Sequence, residues 1–294
     1  MGHDQLFKAV LQGHFRQFLE LFFHSIAERL DFDTLKFLDK ELFVNVPDGR
    51  VREPDLVAEI RTYGGEKEIV LVHIEIQARP ARDFARRMYE YYALLRLQRK
   101  RPVFPVVLYL RGGNGLSDEK YVESFLGREL LRFHYASVGL AQLEPEEYLK
   151  VSALGAALAA LMSRAESGDP LELRVAMLRQ ISESSLDAAR IFLLVNIVES
   201  YFELTDEEAS RYQRLLARKG YQEVREMEAT WADKMIERGR IAEQRRTLLR
   251  LMEAKFGAIT EGVRLGVDQL ESDILDTYLE RILTANSIEE MGID

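Results

Sequence analysis

Three polar side chains stand where two apolar runs would otherwise continue. In "REPDLVAEIRTYGGEKEIVLVHIEIQAR", residues 52–79, Asp55 opens the first run, and Glu75 and Gln77 close the second. Two carboxylates held about 5 Å apart on neighbouring strands repel each other. Either one takes a proton or a cation sits between them. A hard divalent cation such as Mg²⁺, with Mn²⁺ as a substitute, relieves the repulsion. Sharing its ligands with waters and a substrate phosphate, it makes a phosphodiesterase centre in which metal-activated water attacks phosphorus. Asp55 and Glu75 are the candidate metal ligands, and Gln77 can position the water but cannot act as a cation.

The elements that must bring these residues together are legible in the alternation. From Ile69 to Gln77 the even positions Val70, Val72, Ile74 and Ile76 are all apolar, whereas the odd positions pass from Ile69 and Leu71 to His73, Glu75 and Gln77. One face is therefore buried throughout, and the other turns polar at its carboxyl end, where open α/β sheets keep their sites. A turn centred near Gly65 sets Asp55 across from Glu75 on one face, and a different turn geometry would slip that register by one residue.

Around this hairpin, residues 4–30 read as helix, with a broad apolar stripe of Leu6, Val10, Phe15, Phe18, Leu19, Phe22, Phe23 and Ile26. "ELFVNV" reads as the first strand, turned by Pro47-Asp48-Gly49 into "VREPDLVAEI". Ala81 to Lys100 returns to helical period, with Phe84, Met88, Tyr91 or Tyr92, and Leu95 on one face. "RPVFPVVLYLRGG" follows as a buried strand, placed parallel to its predecessor by a right-handed crossover. The expected order is helix, three strands, helix, strand. Residues 119–150 read as a peripheral extension with a strand in "RFHYASVGLAQL". Helical patterns then cover 151–166, 171–184, 186–203, 206–218 and 221–256, with a small helical unit in the last forty residues. These readings divide the chain into 1–150, a helical region 151–220, and 221–294.

The bulk numbers set outer bounds. With 294 residues, 47% hydrophobic and 30% charged, the chain carries at least two cores and no membrane segment. Zero cysteines exclude disulfides and thiolate metal sites, and the amino terminus lacks the pattern of a secretory signal, so a cytoplasmic protein is expected. A net charge of −9 argues against a protein that coats nucleic acid non-specifically. Yet residues 79–101 hold eight basic residues against two acidic ones, a strip that can face phosphates or simply water. His73 reads as a supporting or core residue, His14 and His24 as structural. "RGGNGLSD" lacks the Lys-Ser/Thr ending of a phosphate loop and reads as a turn. Tyr89, Tyr91 and Tyr92 can stack on bases or pack in the core. The long helix from 221 mixes acidic and basic residues, so it reads as a packing or dimerising element.

The element order, with an Asp on the second strand and an acid-x-polar element on the third, resembles the PD-(D/E)xK restriction-endonuclease-like core. More narrowly, "HDQLFKAVL", "LDFDTLKFLDKELF", "REPDLVAEI", "VLVHIEIQAR", "FARRMYEYYALL" and "PVFPVVLYL" resemble the recombination-promoting nuclease and putative transposase family of bacteria over residues 3–115. The tail is similar to a small domain of unknown function attached to such proteins. The resemblance implies a Mg²⁺-dependent DNA endonuclease with Asp55 and Glu75 as ligands and Gln77 in the place of the nuclease Lys. It also implies Arg82, Arg86, Arg87 or Tyr92 as phosphate contacts and Glu20 or Glu41 as a further acid. The alternative it leaves open is a catalytically inactive nuclease-fold module that binds nucleic acid or assembles partners. Homodimerisation through the carboxy-terminal helices would give such an enzyme two sites for two strands.

Overall fold

The computed structural model describes residues 3–38, 54–63, 68–163, 168–218 and 220–293. It is an α/β structure with a mixed six-stranded sheet and a helical carboxy-terminal region. Two compact units divide the chain, Met1–Arg225 and Glu226–Asp294.

The amino-terminal helical run is broken twice. α1 (His3–Gly13), α2 (Phe15–Phe22) and α3 (His24–Ala27) are separated where His14 and Phe23 leave helical geometry. The break lets Leu6, Phe7, Val10 and Leu11 bury on one helix and Phe15, Phe18, Leu19 and Phe22 on the next. One straight helix could not turn so wide a stripe inward.

The expected helix to residue 30 therefore ends early, and β1 (Leu30–Phe37) follows at once. It pairs antiparallel with β2 (Leu56–Thr62) through a register shift between Asp31 and Lys36. The expected strand in "ELFVNV" and its turn lie outside the described residues, as does the Gly64-Gly65 turn.

β2 pairs antiparallel with β3 (Ile69–Gln77), Leu56 facing Ile74 and Val57 facing His73. This is the register that sets Asp55 against Glu75. α4 (Phe84–Arg99) crosses over, and β4 (Val103–Tyr109) lies parallel to β3, with Glu75 opposite Val107 and Gln77 opposite Tyr109. Phe84, Met88, Tyr91 and Leu95 form the buried stripe of α4. Leu95 packs with Val57 and Leu71. Burying side chains such as Leu71, Val72 and Ile74 contributes about 1.5–3 kcal/mol each, so the strand carrying Glu75 is firmly held.

The stretch 119–150, expected as a peripheral extension, instead contributes strands to the sheet itself. β5 (Leu116–Phe125) and β6 (Arg128–Gly139) form a hairpin whose second strand lies parallel beside β4, giving the order β1-β2-β3-β4-β6-β5. Val138 is fully buried there and Leu140 just after it, which a short apolar run read in isolation does not reveal. "RGGNG" is the expected turn, with Gly112, Gly113 and Gly115 all at positive φ.

Within the same unit come α5 (Pro145–Leu149), α6 (Ala153–Leu158), α7 (Pro170–Ser182), α8 (Ala188–Tyr201) and α9 (Asp206–Leu216). α6 packs against α7 and α8, and α1 packs against both α8 and β3. An ion pair between buried Arg174 and half-buried Glu199, at 2.5 Å, ties α7 to α8.

α10 (Gln222–Phe256) leads into the second unit, where α11 (Glu261–Gln269) and α12 (Ser272–Thr284) enclose a core of Leu248, Met252, Val267, Leu275, Ile282 and Met291. Lys255 Nζ caps the end of α12 by donating to Ile282 O at 2.7 Å and Leu283 O at 3.1 Å. Among the described residues, no helix is long and apolar enough to cross a membrane.

Candidate active site

Asp55 and Glu75 meet just beyond the last β2–β3 pair and clasp each other's backbone. The Asp55 N–H donates to Glu75 Oε1 at 3.0 Å, and the Ile76 N–H donates to Asp55 Oδ2 at 2.9 Å. Each carboxylate thus caps the strand that carries the other. Glu75 is 3% exposed, and the side chain of Asp55 14%.

Two neighbours complete the group. His73, fully buried, places Nε2 2.9 Å from Glu75 Oε1, and its ring meets the edge of Tyr91 at 5.4 Å. An ionised carboxylate only accepts, so Nε2 carries the proton and Nδ1 is left without a hydrogen-bond partner. Lys8 of α1 reaches Asp55 Oδ1 with Nζ at 2.7 Å.

Burial pushes the Asp55 carboxyl above its ordinary range, and the charge of Glu75 adds to the rise. The hydrogen bond and charge of Lys8 and the Ile76 N–H offset it only in part. Burial and the neighbouring Glu75 together disfavour the charged form of Asp55 more than Lys8 and the Ile76 N–H favour it.

Gln77 closes the row on β3. Its Oε1 accepts from Arg87 Nη2 at 3.0 Å, and its Nε2 donates to Ile76 O at 3.0 Å. The amide is thereby fixed, with one N–H left to orient a ligand.

The other sequence candidates are spread out. Arg87 joins the site through Gln77 while stacking over Phe84 at 5.1 Å. Arg82 is exposed on the turn before α4, and Arg86 pairs with Glu90 at 3.6 Å. Tyr92 packs against Phe133 at 4.8 Å, and Tyr89 stacks on Tyr121 at 5.5 Å. Glu20 is held by Arg16 at 2.7 Å and lines a cavity with Arg16, His24 and Asp33. Glu41 lies outside the described residues. His14 is buried against Gln17, whereas His24 is exposed beside Glu28.

Lys8 is the site residue that sequence reasoning missed. The available signal was a lone cation inside the apolar run Leu6-Phe7-Lys8-Ala9-Val10-Leu11, which forces a charge toward a buried surface.

Among the described residues, no three His, Asp or Glu side chains form a metal-holding group. The donor set nonetheless suits a hard divalent cation. Two carboxylates with waters are ligands of the kind Mg²⁺ accepts, and a cation between them would relieve the repulsion between Asp55 and Glu75. Set beside protein-family models, curated proteins and solved structures, the chain shows no significant match to any of them.

Proposed function

We propose that this chain is a divalent-metal-dependent endonuclease that hydrolyses phosphodiester bonds in DNA. Its β1–β4 and α4 region is read as a PD-(D/E)xK core, serving recombination or transposase-like mobile elements as in the family it resembles. The observation that carries this reading is the reciprocal clasp of Asp55 and Glu75 at the carboxyl end of a buried strand pair. Opposed carboxylates with a raised Asp55 weaken a fold unless they serve a ligand.

Asp55 and Glu75 would hold the metal, which when bound supplies an acidified water and charge stabilisation at phosphorus. His73 locks the orientation of Glu75 through Oε1. Lys8 supplies the positive charge that Gln77 lacks, placed on Asp55 and able to turn toward a phosphate oxygen. Gln77, clamped by Arg87, orients water with its remaining N–H.

A second reading rests on a specific observation: Lys8 already occupies Asp55, and Arg87 already occupies Gln77. Such a closed network also suits an inactive nuclease-fold module that binds nucleic acid. Supercoiled plasmid incubated with Mg²⁺ or Mn²⁺ separates the two. Wild type is expected to nick it, and Asp55→Ala and Glu75→Ala to fall by at least about a thousandfold. Plasmid left equally intact by all three proteins, with no Mg²⁺ uptake in titration calorimetry, would establish the second reading.

A further inference from the structure

The carboxyl ends of β3 and β4 open into a cavity of about 510 Å³ lined by Gln77, Ala78, Arg79, Leu110, Arg111 and Tyr201. Pairing runs on past the strand ends. Leu110 N–H donates to Gln77 O and Arg111 N–H to Ala78 O, both at 2.9 Å. Arg79 and Arg111 therefore leave neighbouring strands at the same mouth. Both are exposed, and among the described residues neither guanidinium is in an ion pair or side-chain hydrogen bond.

Two unpaired cations on one cavity repel each other, and an anion between them removes the repulsion. Guanidinium forks match phosphate oxygens with paired N–H bonds. The remaining wall is apolar: Ala78, Leu110 and the ring of Tyr201, itself fixed edge-on to Phe7 at 5.5 Å. The volume lies within the range of small-ligand sites. Gln77, on the cavity's rim, is about 7 Å along the strand from Glu75 at 3.3 Å per residue, so a bound phosphate lies within a few nucleotides of the carboxylates.

We propose that Arg79 and Arg111 form a phosphate-binding subsite that holds the DNA strand beside the Asp55–Glu75 pair. The choice of DNA rests on the nuclease reading; the anion-binding chemistry does not. The phosphate is either a strand's terminal phosphate or an internal phosphodiester.

Fluorescence anisotropy in EDTA tests it, using a short labelled DNA strand with a 5′-phosphate and the same strand with a 5′-hydroxyl. Arg79→Ala/Arg111→Ala is expected to weaken binding about tenfold to a hundredfold and to lower the slope of log Kd against log salt by about one to two. Arg79→Lys/Arg111→Lys should keep the salt slope while losing part of the affinity. A 5′-phosphate preference that disappears in the alanine variant assigns a terminal phosphate, and equal binding of both strands assigns an internal one. Unchanged affinity and slope in the alanine variant, or no binding by wild type, overturns the subsite. Both side chains are exposed, so unchanged thermal melting serves as the folding control. Because the assay needs neither metal nor cleavage, the two readings fail separately. A protein that binds through these arginines but never nicks plasmid loses only the nuclease reading, whereas one that nicks but ignores both substitutions loses only the subsite.

Discussion

Charges at the carboxyl end of β3 and charges in the cavity beside α2 are held in opposite ways. The second cavity, about 490 Å³, is lined by Arg16, Glu20, His24, Glu28, Asp33 and Tyr63 among others. Its pairs are local and exposed: Arg16–Glu20 at 2.7 Å and His24–Glu28 at 3.1 Å, each one helical turn apart. At the β3 end the partners come from distant elements, Lys8 with Asp55, Asp55 with Glu75, and Arg87 with Gln77. Exposed pairs of the first kind contribute little, because water screens them and both side chains lose freedom. Buried opposed carboxylates of the second kind lose their hydration, and their geometry is set by tertiary structure alone. A carboxylate cluster that the fold assembles against an electrostatic cost is therefore a better pointer to function than a cavity of similar volume whose ion pairs are local and exposed.

The contrast breaks first under loss of the carboxylates, for which the plasmid assay above expects the largest effect. Lys8→Met comes next. It leaves Asp55 beside Glu75 without its cation, so stability should fall by about 1–3 kcal/mol in urea unfolding, and nicking by about tenfold to a hundredfold. Gln77→Lys, added to Lys8→Met, returns a cation to the same row and should recover part of the nicking rate. If Lys8→Met matches wild type in both measurements, the 2.7 Å contact is incidental and the two regions handle charge alike.

Asp55→Asn sharpens the comparison through pH. The folded carboxyl titrates above its ordinary value of 3.8. Its contribution to stability is thus fully present below that unfolded value and is lost as pH rises through the folded one. Wild type consequently carries a penalty at neutral pH that the amide lacks, while Asn Oδ1 can still accept from the Ile76 N–H. Asp55→Asn should melt about 2–4 °C higher at pH 7, with the gap closing toward pH 4, although its nicking is abolished. A variant that melts lower at pH 7 would show that the Lys8 pair outweighs desolvation.

These residues also mark what the sequence could and could not carry. Alternation along the carboxyl half of Ile69–Gln77 puts His73, Glu75 and Gln77 on one face, whereas the register that sets Asp55 against Glu75 was open to a one-residue slip and is fixed by the β2–β3 pairing itself. The parallel β4 followed from a helix of crossover length. β1 was not legible because its shift between Asp31 and Lys36 interrupts the alternation of "LDFDTLKF". β6 was underrated because its burial comes from lying beside β4, a neighbour far away in sequence. Lys8, Arg79 and Arg111 become site residues only when α1 docks on β3 and when two strand ends align, neither of which leaves a local pattern.

The smallest effect is expected in the second cavity. Arg16→Ala removes a pair whose side chains are 66% and 41% exposed, so water replaces the lost partner and the urea midpoint should stay at the wild-type value. Glu20→Ala tests more, since Glu20 shares the acidic chemistry that a metal centre would use. Held by Arg16 in a cavity of its own, it should leave plasmid nicking within about twofold of wild type. A hundredfold loss would mean that the α2 carboxylate reaches the metal when DNA is bound, making the two regions parts of one site. Repeating the measurement in high salt distinguishes the cases. A screened surface carboxylate loses any influence as the Debye length shrinks to about 3 Å near 1 M, whereas a direct ligand does not.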